Sequence, residues 1–334
     1  MVKELWARYI KDERTMPLLL VPALAAIGFL LIGSGSTWLT LTVAGLATGM
    51  MIFIIASGLT LIFGLMDVLN FGHGAFIGLG AYLAYTILSS SPDLVHSPSL
   101  ANNMMALGLA IGVAAIGAGL LGLLFEQLII RGVYGDHLKQ ILITMGGMIV
   151  VEQIITMVWG ANELQIDMPA TLKGAVAMGG ASIEKYRIVV IAFGTLLLGA
   201  ILLVLMKTRI GLLIRAGVED AEMVEALGFR IRRIFVGVFV TGSALAGFGG
   251  VMWALYRGSL ASNMGSELMI MVFIVIVIGG LGSIGGCFVG AVLVAVTSNY
   301  VAFLAPRVAI ASTIVLMMAV LFWRPNGLFP VVKK

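Results

Sequence analysis

The chain has 334 residues, 60% of them hydrophobic and 11% charged, with a formal net charge of +4 and one cysteine, Cys287. Ordinary soluble domains carry about 25% charged residues, so a soluble globular fold is excluded. The lone cysteine excludes an internal disulfide and a thiolate metal cluster, and basic residues that are not gathered on one aromatic-lined face exclude a nucleic-acid binder.

The first 16 residues, MVKELWARYIKDERTM, form a charged arm ahead of the apolar run PLLLVPALAAIGFLLIG. The arm is long and contains acids, and no A-x-A cleavage site follows, so the run is expected to be a retained first span rather than a secretory signal. About 20 apolar residues cross a bilayer. Runs of that kind recur at 17–33, 39–66, 71–88, 104–130, 141–159, 188–206, 234–256, 268–282, 285–304 and 309–323. Backbone hydrogen bonding in hydrocarbon then requires helices. The expected fold is all-α: a polytopic membrane helical bundle of about 8–10 transmembrane helices, forming one domain over 1–334.

Orientation follows from the basic residues. The arm 1–16 holds Lys3, Arg8, Lys11 and Arg14; the loop 207–233 holds Lys207, Arg209, Arg215, Arg230, Arg232 and Arg233; the C-terminus holds Arg324, Lys333 and Lys334. Segment 89–103 has no Lys or Arg. These counts put both termini and 207–233 in the cytoplasm, with 89–103 and 160–187 on the outer surface.

The stretch NFGHGAFIGLGAYLAY (70–85) is unusual for a span. Gly72, Gly74, Gly78 and Gly80 recur at even spacing, so they cannot share one helical face; they permit close backbone approach and local unwinding. Asn70 and His73 are then expected to satisfy freed backbone groups or to line a polar path, with Gly74 beside them as a candidate gate. A faint internal repeat aligns GHGAFIG (72–78) with IGGCFVG (284–290) through G-x-F-x-G. An inverted repeat would require one of the short segments, 71–88 or 268–282, not to cross fully.

Ionisable residues within apolar runs are costly and therefore informative. Glu126, five residues before Arg131, is expected to snorkel to the boundary. Glu152 lies deeper, in GGMIVVEQIITMVW, and reads either as a hydrogen-bonded structural carboxyl or as a pathway group. No nucleotide-binding G-x-x-x-x-G-K-[ST], zinc spacing, G-x-S-x-G or H-E-x-x-H is present. A catalytic site and a metal site are therefore not expected, nor a cofactor in this chain.

Within 207–233, residues 221–227 read as a short helix. Asp220 can serve as N-cap, Glu222 sits in the first turn and Gly228 suits the C′ position. At 100° per residue Met223, Val224 and Leu227 share one side while Glu222 and Glu225 face away. So short a helix is not stable alone in water, and it needs its own membrane surface or a partner's groove to lie against.

Several motifs together resemble the permeases of branched-chain amino acid ABC importers, LivH/LivM type and most of all LivH. They are GLTLIFGLMDVLNFGHGAFIGLGAYLAY (58–85), RIGLLIRAGVEDAEMVEALGF (209–229), AGFGGVMWAL (246–255), VIGGLGSIGGCFVGAVLV (277–294) and WRPNGLF (323–329). The resemblance implies a multi-pass subunit of the bacterial cytoplasmic (inner) membrane that is not itself an enzyme. It implies alternating access driven by two cytoplasmic ATPase subunits, which carry the ATP and Mg. A second permease, in a hetero- or homodimer, and a periplasmic solute-binding protein complete the assembly. It assigns ATPase coupling to Arg215, Asp220, Glu222, Met223, Glu225, Leu227 and Gly228. In the family's E-A-A-x-x-x-G pattern this chain keeps Glu222 and Gly228 but has Met223 and Val224 for the alanines, and Ala75 stands where LivH-type relatives often have Glu. Other cargoes (urea, short amides, small acids) and a stand-alone ion-coupled carrier using His73 and Glu152 are the competing readings.

Overall fold

A computed structural model describes residues 16–219 and 221–330. Twelve helices are labelled here: α1 Leu20–Ile32, α2 Gly35–Met66, α3 His73–Ser89, α4 Leu100–Leu128, α5 His137–Trp159, α6 Lys185–Lys207, α7 Arg209–Glu219, α8 Ala221–Ala226, α9 Ile231–Arg257, α10 Met264–Gly279, α11 Ile284–Leu304 and α12 Ala309–Trp323. Two small antiparallel ladders complete the fold. One pairs β1 (Leu164–Gln165) with β4 (Ser259–Leu260), and the other is a hairpin of β2 (Ala175–Met178) and β3 (Ala181–Glu184).

Among the described residues, seven helical segments are long and apolar enough to cross a bilayer, and Met16–Ile32 and Met264–Gly279 are shorter apolar helices. α2 is the central one: 83% of its apolar window is buried, against 11% for α6. Its 32 residues span about 48 Å at 1.5 Å per residue, more than the roughly 30 Å of hydrocarbon, so it must tilt. α2 lies along α11 and across α9, and α9 in turn lies along α4.

The two ends of the bundle are distinct. At one, Trp159 donates to Thr86, β1 pairs with β4, and the Asn103 carboxamide accepts from Thr171 while donating to the carbonyls of Leu94, Val95 and Ser97. That end joins the two segments 89–103 and 160–187 that were expected to share a surface. At the other, basic end, His137 lies 3.9 Å from Asp67 and Gly64 meets Gly282.

α3 does not begin at the basic end. Gly72 abuts the carbonyl of Thr144, Gly74 lies under the sulfur of Met148, Gly78 touches Ile155 and Tyr82 packs on Trp159. α3 therefore runs parallel to α5 but starts seven to eleven residues along it, roughly 10–16 Å inside. Residues 67–72 cover that depth as non-helical chain. α10 mirrors this from the opposite end. α2 and α9 both end on a left-handed cap, Asp67 (φ 54°) and Gly258 (φ 72°), and six residues later α3 and α10 begin. The second residues of the two short helices, Gly74 and Gly265, meet backbone to backbone.

α2–α5 and α9–α12 thus share one order of elements, a long helix with a left-handed cap followed by a short one, with the two short helices meeting at Gly74 and Gly265. The G-x-F-x-G alignment of 72–78 with 284–290 is thereby corrected. Gly74 and Gly286 both open helices, but they lie against opposite ends of α10, Gly286 touching Gly279. Two first turns with similar packing needs produced the likeness.

A Cβ on Gly74 would sit 2.8 Å from the carbonyl oxygen of Gly265. Gly74→Val is expected to force α3 and α10 apart at a cost of about 1–3 kcal/mol, as overpacking does, and to lower the melting temperature of the purified protein. Gly108→Val, where nothing lies within 4 Å, is expected to leave it unchanged.

Candidate functional site

The first candidate region is the break at 67–72. In hydrocarbon a freed backbone N–H finds no water and costs several kcal/mol. The Leu69 N–H donates to Gln140 Oε1 (3.1 Å) and the Phe71 N–H to Thr144 Oγ1 (3.1 Å). Gln140 also donates to the Val133 carbonyl, and Thr144 to the Gln140 carbonyl, so each side chain both accepts and donates. Phe71 stacks on Phe273 of α10 with centroids 4.2 Å apart.

The expectation that Asn70 and His73 satisfy the freed backbone is thus corrected. α5 does this, because Gln140 and Thr144, one turn apart, face the break. The sequence signal was present as two polar residues at i, i+4 in an otherwise apolar run, and it was not read. Asn70 is fully buried, and neither amide atom has a protein partner. His73 is fully buried too, with Nε2 3.0 Å from the Ile55 carbonyl. That carbonyl only accepts, so Nε2 carries the proton and Nδ1, which has no partner, presents a lone pair. Asn70, His73 and Gly74 therefore sit together where α3 begins. Glu152 is half-buried one turn beyond Met148 on α5, with one carboxylate oxygen lacking a partner.

Glu126 does not snorkel. It is fully buried, and Tyr134 donates to its Oε1 at 3.1 Å. Burial and then the Glu126 carboxylate push the Tyr134 phenol above its ordinary pKa.

The second region is the loop between α6 and α9. It holds two helices where one was expected. α7 doubles back, its Gly211 against the Leu205 backbone and its Gly217 against Ile231. α8 follows at Ala221–Ala226, one residue shorter than the expected 221–227. It closes in a Schellman motif: Gly228 (φ 88°) donates to the Glu225 carbonyl and Phe229 to that of Val224. The expected single apolar side divides. Val224 is 3% exposed, whereas Met223 is 59%, Leu227 69% and Phe229 46% exposed. At 100° per residue Val224 lies about 60° from Leu227 and about 100° from Met223, at the edge of that side, and there it turns inward. Glu225 is exposed. Asp220 and the side chains of Arg215 and Glu222 lie outside the described residues.

Comparison with known proteins places this geometry in context. Residues 41–323 match the family model described as "Branched-chain amino acid transport system / permease component". The chain is 27% identical over 292 residues to the high-affinity branched-chain amino acid transport system permease protein BraD of Pseudomonas aeruginosa, covering 86% of this chain and 94% of that protein. It is 24% identical over 304 residues to LivH of Escherichia coli K12, covering 85% and 92%. LivM of the same strain is 27% identical over 318 residues, covering 86% of this chain and 70% of LivM.

Thr144→Val keeps the shape of the side chain and removes the acceptor for Phe71 N–H. A loss of about 1–3 kcal/mol in stability is expected, the cost of an orphaned buried donor, read as a lower melting temperature. Thr144→Ser is expected to retain most of the stability.

Proposed function

This chain belongs to the family of branched-chain amino acid transport system permease components, and on that premise we propose that it is the membrane subunit of a bacterial ABC importer for branched-chain amino acids. It moves cargo and is not itself an enzyme. In this reading it pairs with a second permease, receives substrate from a periplasmic solute-binding protein and is driven by two ATPase subunits that hold ATP and Mg. The loop 207–233 and both chain ends face the cytoplasm, at the inner membrane.

The observation that carries the reading is the exposed apolar side formed by Met223 on α8, a helix too short to stand alone, and by Leu227 and Phe229 in the turn that closes it. Such a side fits a groove on a partner protein. α8 is tied to the start of α9 by the Schellman turn and by Gly217 against Ile231. From there α9 runs to the centre, where Gly242 touches Gly58 and Gly58 lies beside the His73 ring. A push on α8 thus reaches the Asn70–His73 region through one continuous helix. Differential binding of the ATPases to two arrangements of the bundle shifts their populations.

The N-terminal ends of α3 and α10 converge at Gly74 and Gly265. Helix N-termini carry partial positive charge, which favours a carboxylate over a cation at that point and supports an amino-acid cargo. Asn70 and the free lone pair of His73 are the polar groups available to a solute passing there. A cation-coupled carrier using His73 and Glu152 fits less well, since His73 bonds the Ile55 carbonyl and no hydrogen bond or ion pair joins it to Glu152.

Leu227→Asp combined with Phe229→Asp is expected to lower substrate uptake by reconstituted transporter roughly tenfold or more, the scale of losing an interface hot spot, while ATP hydrolysis continues uncoupled. Unchanged uptake would contradict the coupling role. Uptake driven by an imposed ion gradient without ATPase subunits would favour the carrier.

A further inference from the structure

A groove of about 550 Å³ runs between α2, α6 and α9. Leu61, Leu65, Leu197, Ile201, Val238 and Leu245 are among its walls, and Arg233 is its one charged residue. Arg233 is shared with two further recesses. One, of about 400 Å³, lies beside the end of α8 and includes Arg230 and Arg232 with Glu225; the other, of about 510 Å³, lies between α4 and α9 and includes Arg131 and Arg232 with Glu126. An apolar slot and an arginine cluster are therefore continuous at one residue.

The arginines are placed against local electrostatics. Arg230, Arg232 and Arg233 stand at the N-terminus of a 27-residue helix, the end where the macrodipole is already positive and where acids, not bases, are stabilising. Among the described residues none of the three side chains forms an ion pair or hydrogen bond. Arg131, Arg230, Arg232 and Arg233 outnumber the two acids of these recesses, Glu225 and Glu126, so positive charge in excess on a positive helix end is left for an anion from outside, and helix N-termini bind phosphate readily. The groove beside them lies at membrane depth, walled by spanning helices, so the apolar occupant at hand is an acyl chain. Basic pockets between transmembrane helices are known to take anionic headgroups.

We propose that this groove binds one anionic phospholipid, its phosphate against Arg233 with Arg232 and Arg230, and an acyl chain between α2, α6 and α9. The binding is independent of the import reading. A consequence for coupling rests on that reading: the lipid would fix the first turn of α9 to the leaflet, five residues after α8, so that α8 moves against an anchored helix.

The test is native mass spectrometry of the detergent-purified transporter after exposure to equal amounts of phosphatidylglycerol and phosphatidylcholine. The wild type is expected to retain phosphatidylglycerol preferentially. Arg232→Ala with Arg233→Ala is expected to weaken that retention roughly fivefold per arginine. Ala200→Phe plugs the groove from an exposed position and leaves every arginine in place; it is expected to release the lipid without lowering the melting temperature. Lys139→Ala, which removes a basic charge paired with Asp136 elsewhere at the same end, is expected to change nothing. Equal retention of the two lipids, or retention unaffected by the arginine changes, would overturn the proposal. Loss on arginine removal but not with Ala200→Phe would mean surface phosphate binding alone and also overturns it. So would disulfide capture of a second permease by Thr241→Cys, which would make the groove a subunit interface. A variant that keeps its lipid yet loses uptake speaks to the import reading, not to this site.

Discussion

Hydrocarbon offers a peptide backbone no hydrogen-bond partner, and the arrangement of this bundle follows from how that demand is met where helices stop. α2 ends on Asp67, and the next helix starts well inside the protein, so the chain between them must be held by other protein groups. Gln140 and Thr144 hold it. The same demand arises at the C-terminal end of α10, whose last carbonyls would otherwise be orphans. There the closing segment supplies Leu328 N–H to Ile278 and Phe329 N–H to Gly279. Thus WRPNGLF closes a helix end.

Because both breaks are closed in this way, the membrane part behaves as a packed body around one close contact, Gly74 against Gly265. Close-packed interiors switch between discrete arrangements and do not deform continuously. The two groups near that contact which remain unsatisfied by protein, the Asn70 amide and His73 Nδ1, are the ones with something to gain from a polar visitor. At the other extreme, α7 and α8 present exposed apolar side chains and few internal supports. Force from a partner has to enter there, and α9 is the continuous rod that connects the two.

Much of this was legible in the sequence. Span positions came from hydropathy, the short helix at 221–227 from Asp220, Glu222 and Gly228, and the special status of 70–74 from glycines in an apolar run. What escaped has physical reasons. A helix period does not say which helix faces a break, so Gln140 and Thr144 were missed beside the more conspicuous Asn70 and His73. Glycine-rich first turns look alike, which paired 72–78 with 284–290 instead of with the start of α10. Amphipathicity gives a helix a side, but Val224 and Leu227 part company because a Schellman turn buries one and exposes the other. α7 went unread although Arg209–Glu219 is strongly amphipathic, because its basic residues drew attention as a topological signal.

The central claim is that energy reaches the membrane body through α8. Its most direct measurement is site-specific photo-crosslinking from position 227 in native membranes, with and without trapped nucleotide. The account expects capture of an ATP-hydrolysing subunit, in a yield that changes with nucleotide state. Crosslinks to lipid or to this same chain alone would contradict it.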